Sequence, residues 1–300
     1  MIKTVTFGSV LWDIINGKEF LGGAQCNLAS HLARLGCDSY IITRLGNDDR
    51  GKRAIERLHS IGVNDKFIQF DNSHSTGTVE AILDEKGVAT YNHLDLAAYD
   101  FVEFDSVLEK GLSENIFDMF CFGVRSQRSP VNRVTFEKVL QKIKAKYVYL
   151  DVNLRKPHYN TEIIRLCIQK SNILKMNEHE LEEISGLFYG KVLPEEEFVS
   201  QINREFKLIL VCITKGENGC TVHYDRKSVS IPVMKVSVVD TIGSGDAFNA
   251  GFVYKYCSTG DPVEAAKLGN YLGAYVAAQR GAVPEYFFEN GIVKPNKLKS

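Results

Sequence analysis

The 300-residue chain has almost no surplus charge, with 36 Lys and Arg against 37 Asp and Glu. Nothing in that balance attracts nucleic acid or an anionic membrane surface. No apolar run approaches the roughly 20 residues needed to cross a bilayer. The opening residues 1–8 read as a short strand, not as a signal peptide. The seven cysteines are odd in number, scattered, and never spaced as C-x-x-C. Most sit in apolar surroundings, where a free thiol behaves as a small hydrophobe. That pattern argues against a disulfide framework or a zinc site and predicts a cytoplasmic protein. No Pro-rich linker, repeat or low-complexity tract marks a second domain, so residues 1–300 are expected to form one unit. Two nucleotide-binding motifs are also missing. The first strand runs into Gly8-Ser9-Val10-Leu11 without the G-x-G-x-x-G of a dinucleotide-binding oxidoreductase, and G-x-x-x-x-G-K-[ST] is absent.

What remains is an alternation of two periodicities. Residues 3–7, 40–43, 119–122, 147–151, 173–176 and 208–213 are short, β-branched or aromatic, and apolar on both faces. Between them lie amphipathic stretches at 48–60, 130–145, 161–170 and 178–186, and a helical region runs from about 262 to 278. Strands buried on both faces with intervening helices predict an α/β sandwich around a mainly parallel sheet. One segment departs from this rhythm. Residues 76–84 and 88–93 flank Glu85-Lys86-Gly87 and read as a hairpin, either a small separate sheet or an antiparallel edge of the main one.

The most informative run is Asp240-Thr241-Ile242-Gly243-Ser244-Gly245-Asp246-Ala247-Phe248. It follows the β-branched stretch 236–239 and leads into 247–256, which reads as a helix, so a strand-to-helix turn is expected. Gly243 and Gly245 let a ligand approach the main chain. The free amides of the following helix suit an anion. Asp246 among them cannot bind that anion, since like charges repel. It can take the proton of a hydroxyl that attacks a phosphate held by the amides. The rival reading is a glycine turn capping a helix, with Asp246 a surface carboxylate. Gly251 inside the helix, at a cost of roughly 1 kcal/mol relative to alanine, points instead to close packing near the turn.

This run resembles the D-T-x-G-A-G-D signature of the ribokinase-like (PfkB) carbohydrate kinases, with Ser244 in place of alanine. Gly22-Gly23-Ala24-Gln25-Cys26-Asn27 resembles the family's N-terminal signature, with Gln25 and Cys26 where proline and alanine are usual. Matches continue in order from residue 8 to residue 285. The resemblance implies a three-layer α/β/α sandwich with a small β-lid, here about 11–20 and 75–99, that closes over a sugar and limits wasteful ATP hydrolysis. It implies Asp246 as catalytic base and the amides of Gly243, Ser244 and Gly245 as anion hole. Asp13, Gly22, Gly23, Asn27, Asn153 and Arg155 are implied as sugar contacts. Asn177, Thr214, Gly216, Gly219, Gly245 and Asn270 are implied at the nucleotide. Asn177 and Glu180 would order the waters of Mg²⁺, although the pair also fits a helix capping box. Carbonyls of Asp240, Ile242, Val276, Gln279 and Gly281 stand where some relatives bind a monovalent cation such as K⁺.

Several phrases resemble fructokinase-like members, among them Asp151-Val152-Asn153-Leu154-Arg155, although Tyr99 replaces an expected tryptophan. A keto-acid sugar would call for a basic cluster facing its carboxylate, and the sequence alone does not place one. The expected partners are therefore ATP and a neutral sugar, most simply fructose, without nucleic acid or membrane and with a homodimer through the lid as an option. Alternatives are 2-keto-3-deoxygluconate, ribose, a nucleoside, or a non-catalytic sugar-binding relative. The presence of Asp246 speaks against the last.

Overall fold

The computed structural model describes residues 1–83, 89–93, 96–289 and 292–295. The first half of the chain contains β1 (Lys3–Phe7), β2 (Leu11–Ile15), β3 (Lys18–Gly22), α1 (Ala24–Arg34), β4 (Asp38–Gly46), α2 (Asp49–Ile61) and β5 (Ile68–Asp71). It continues with β6 (Gly77–Leu83), β7 (Ala89–His93), α3 (Ser106–Glu114), β8 (Ile116–Gly123) and α4 (Pro130–Lys142). Then come β9 (Lys144–Asp151), α5 (Thr161–Gln169), β10 (Ile173–Asn177), α6 (Glu178–Tyr189), α7 (Glu195–Phe206) and β11 (Leu210–Thr214). The chain closes with β12 (Cys220–Tyr224), β13 (Lys227–Ile231), α8 (Ser244–Thr259), α9 (Pro262–Ala277), β14 (Tyr286–Glu289) and β15 (Ile292–Pro295).

The nine-stranded central sheet has the order β13-β12-β11-β10-β9-β8-β1-β4-β5. From β11 to β5 neighbours run parallel; β12 and β13 add an antiparallel edge. Both faces are covered, which is why these strands read as apolar on both sides. Phe120 and Phe122 of β8 pack with Phe136, Ile164 and Ile184 from α4, α5 and α6. Met119 and Cys121, the alternate residues, pack with Leu28, Phe252 and Leu272 from α1, α8 and α9. The period of two in the strand thus feeds two cores and makes three layers.

Two sequence expectations shift here. The helix expected over 130–145 stops at Lys142, and Lys144 already opens β9. Nothing in Lys142-Ile143-Lys144-Ala145 signals a stop, because parallel pairing with β8 overrides local propensity. The strand expected over 236–239 is not one. Residues 232–240 carry no regular structure, and Val238 and Val239 are exposed. Residues of this segment bond instead to the end of α9, through the amides of Val239 and Asp240 to the Ala277 carbonyl.

The segment that breaks the α/β rhythm forms a second, four-stranded sheet of order β3-β2-β6-β7. It does not extend the main sheet. The expected turn at 85–87 lies outside the described residues. The small sheet is fastened to the sandwich at its base. Trp12 Nε1 donates to the Arg50 carbonyl, Arg53 lies over the Trp12 ring, and Glu19 pairs with both arginines. Asp48, which caps α2 through the Gly51 amide, also accepts from the Thr76 amide and hydroxyl where β6 begins.

Candidate active site

The carboxyl ends of the parallel strands, where α/β sheets place ligands, open into a cavity of 570 Å³. Each wall comes from a different element. Asp13 arrives on β2, Asn27 on α1, Arg125 after β8, Asp151 at the end of β9 and Asn153 just after it, Lys175 and Asn177 on β10, and Asp246 on α8.

Gly243 caps α8 with a left-handed φ of 77°. A side chain there would be strained and would also meet Ala282, whose atoms would lie 2.6–2.7 Å from a Cβ. Gly245 and Asp246 fall in the first turn, where amides have no intrahelical acceptor. The implied anion hole needs one correction. The Ser244 amide donates to the Thr241 carbonyl at 3.2 Å, and its hydroxyl does the same at 2.9 Å. Ser244 therefore closes the turn, whereas the amides of Gly243, Gly245 and Asp246 have no backbone acceptor among the described residues.

Asp246 is half-buried and accepts from Asn27 Nδ2 at 2.8 Å. Burial pushes its carboxyl up to about 7, against the Asn27 hydrogen bond; the charge of Asp151 adds to the rise, and Lys175 and Arg155 oppose it. A carboxylate poised there suits general base work near neutrality. Asn27 keeps a second feature. Its Oδ1 is buried and has no hydrogen-bond partner among the described residues, so a ligand hydroxyl is the natural donor.

Burial likewise lifts Asp13 to about 6, against the charge of Arg125. The pocket holds Asp13 close to the chain, because a Cβ at Gly22 would stand 2.1 Å from its Oδ2. Gly22→Ala should therefore push the carboxylate aside and, for a sugar held there as the resemblance implies, raise its KM about tenfold, equivalent to about 1.4 kcal/mol, with kcat much less affected. Initial-rate kinetics would expose the error if KM stayed put. Gly23, at φ 101°, lies against the Ser9 carbonyl. Gln25, which stands where proline is usual in the resembled family, wedges its amide against Gly8 and Gly123. A Cβ at either glycine would come within 2.6–2.7 Å of it.

Asn177 and Glu180 form the capping box. Asn177 Oδ1 accepts from the Glu180 amide at 2.9 Å, and Glu180 Oε2 from the Asn177 amide at 2.8 Å. Glu180 Oε1 accepts from the Leu154 amide at 2.9 Å, so the carboxylate also pins the loop bearing Asn153 and Arg155. Both residues line the cavity. Asn153, with a φ of 40°, and Arg155 line it as well.

Other expected contacts lie elsewhere. Thr214 pairs in register with Asn177 on the next strand, but Thr214, Gly216, Gly219 and Asn270 are outside the cavity lining. Gly216 and Gly219 shape the connection between β11 and β12, and Gly219 packs against the Ile231 carbonyl. Asn270 spends its Nδ2 on the Ile231 and Pro232 carbonyls, which makes it a clamp on the chain leaving β13. Of the carbonyls named for a monovalent cation, that of Val276 accepts from the Gln279 amide. Ile242 lines the cavity. The side chain of Asp240 joins the two loops that carry the others, accepting from the Ile242 and Gly281 amides.

Two cations in the cavity escaped the sequence reading. Lys175 is buried and donates to Asp151 Oδ1 at 3.0 Å; its Nζ lies 4.0 Å from the position of a Cβ on Gly245, beside the anion cradle. Its signal was available, since it stands two residues before Asn177 on the same strand face. Arg125 donates to the Tyr99 hydroxyl at 3.2 Å and lines the cavity together with Asp13, whose carboxyl its charge holds down. No motif marks it. Among the described residues no cluster of three or more His, Cys, Asp or Glu is arranged to hold a metal, and no helix is long and apolar enough to cross a membrane.

Residues 6–285 match the pfkB family of carbohydrate kinases. The chain is 26% identical over 306 residues to a probable fructokinase-5 of Arabidopsis thaliana, covering 93% of each chain. It is 25% identical to a fructokinase of Escherichia coli, covering 87% of each. Among solved structures it superposes on the fructokinase of Vibrio cholerae O395 in its fructose-, ADP- and calcium-bound form, with a TM-score of 0.81, 24% identity and 94% of each chain covered.

Proposed function

This chain belongs to the pfkB family of carbohydrate kinases, and from that premise we propose that it transfers the γ-phosphate of ATP to a primary hydroxyl of a monosaccharide, fructose being the substrate the reading favours. The observation that carries the reading is the meeting of Asp246 with the first turn of α8 in one cavity. The carboxylate takes the hydroxyl proton, while the Gly243, Gly245 and Asp246 amides stabilise charge on the transferring phosphoryl. Asp13 and Asn27 supply acceptors for the other hydroxyls. Lys175 adds positive charge beside the cradle. Mg²⁺ would sit on the phosphates and supply charge neutralisation there, with Asn177 and Glu180, oxygen-bearing side chains that both line the cavity, ordering its waters.

The whole chain acts as one kinase unit on this reading, and the β2–β3 and β6–β7 sheet closes as a lid over the sugar. The free state of all seven cysteines supports a cytoplasmic setting. A homodimer through the lid and a K⁺ ion near Asp240 belong to the same reading, on the resemblance alone. Arg125 supports a second reading. It gives the sugar end of the cavity a cation, so a sugar acid such as 2-keto-3-deoxygluconate is the rival substrate. The test is turnover of ATP and Mg²⁺ over fructose, ribose, 2-keto-3-deoxygluconate and nucleosides. Fructose turning over fastest supports the first reading, and the sugar acid supports the second. A folded, ATP-binding protein that phosphorylates none of them sinks both.

A further inference from the structure

His31 is fully buried on α1, one helical turn beyond Asn27. The two residues share a face of the helix. Asn27 reaches Asp246 on α8, whereas His31 reaches the chain after α9. Its Nε2 lies 2.9 Å from the Ala282 carbonyl and its Nδ1 2.8 Å from the Tyr286 hydroxyl. A carbonyl oxygen only accepts, so Nε2 carries the proton; Nδ1 is then the acceptor and Tyr286 donates to it. Burial holds the imidazole neutral, down to about 4, in keeping with that arrangement.

The far end of this strut meets the catalytic turn. Ala282 is the residue on which Gly243 sits, with its Cα and Cβ 2.6 Å and its oxygen 2.7 Å from the position of a Gly243 Cβ. The neighbouring Gly281 amide donates to Asp240 Oδ2. The turn at 281–282 is therefore gripped from two sides and forms the floor under the left-handed Gly243 that starts α8.

Resting on the kinase reading above, we propose that His31 is a positioning residue for phosphoryl transfer: through its Nε2–H bond to Ala282 it fixes the floor against which the Gly243 turn presents its amides. Asn27 and His31 then set two parts of one reaction from a single helix face, the base and the anion cradle. His31 touches neither substrate, so its effect falls on the geometry of transfer. Misplacement of reacting groups by about 1 Å can cost about 10²-fold in rate.

The test compares His31→Leu, His31→Gln and Tyr286→Phe. Leucine removes the bond to Ala282. Glutamine restores an amide donor in its place. Phenylalanine at 286 removes a buried hydrogen bond from the same imidazole but leaves the Ala282 contact. We expect His31→Leu to lower kcat about 10- to 100-fold with the sugar KM within about twofold, His31→Gln to regain most of the loss, and Tyr286→Phe to stay near wild type at a comparable drop in Tm. Equal losses in kcat for His31→Leu and Tyr286→Phe, or a wild-type kcat in His31→Leu, would overturn the proposal. Calorimetric binding of a non-hydrolysable ATP analogue with Mg²⁺ needs no sugar and separates this outcome from failure of the kinase reading. His31→Leu should weaken that binding and Tyr286→Phe should not; if both bind as wild type does, His31 does not position the cradle, whatever the sugar.

Discussion

Asp246→Asn is expected to lower kcat by about 10² to 10⁴, the usual contribution of a positioned base, while the sugar KM should change little. Asparagine keeps the size and an oxygen that can accept from Asn27, so the 2.8 Å contact survives. It also lacks a charge to bury, which gives the variant a second signature. The folded carboxyl titrates at about 7, above its ordinary value of 3.8. Between those values the folded state holds the proton more tightly than the unfolded chain, so wild-type stability falls as pH rises through the window. Asp246→Asn should therefore raise Tm above pH 7, and the gain should shrink to nothing towards pH 4. A variant that is slower yet more stable identifies a residue whose burial serves catalysis. Near-normal kcat in the folded variant would make Asp246 a helix-start residue and move suspicion to Asp13.

Lys175→Met has the largest expected effect on stability. The ammonium and Asp151 are both buried, with side chains 7% and 5% exposed. Burial pulls the lysine down, but the charges of Asp151 and Glu180 outweigh it and hold the ammonium above its ordinary value. Removing one partner of such a pair leaves the other charge uncompensated, at about 3–5 kcal/mol. Denaturant unfolding should show that loss, and an unchanged midpoint would contradict the buried pair. Lys175 also opposes the rise of Asp246, so the base of any folded Lys175→Met protein should need a higher pH to ionise.

These two residues also mark how far the sequence could be read. Asp246 was legible because glycines, a helix pattern and a carboxylate sit side by side in one run. The sandwich was legible because strands with two buried faces and amphipathic helices leave different periods in the chain. Lys175 carries only a faint local signal, its place two residues before Asn177 on one strand face. Its role arises when β9 and β10 bring Asp151 alongside it, and Arg125 similarly gains meaning only from Asp13 on the small sheet. His31 reads as one more residue of an amphipathic helix, since its partners lie 251 and 255 positions away. Ser244 misled for a related reason. Its place in a signature says nothing about whether its amide is free, and the turn to Thr241 takes it. Residues 236–239 misled because β-branched composition predicts a strand only where a neighbour exists to pair with it.

The central claim is that a half-buried carboxylate near neutrality takes the proton from the acceptor hydroxyl, and the pH dependence of kcat/KM tests it most directly. A base acts only when ionised, so below the folded value the rate should fall about tenfold per pH unit. With Asp246 near 7, the account predicts an acid limb with its midpoint close to pH 7 in the wild type, absent from the residual activity of Asp246→Asn. A wild-type profile that stays flat down to pH 5, or a limb that survives unchanged in Asp246→Asn, would contradict it.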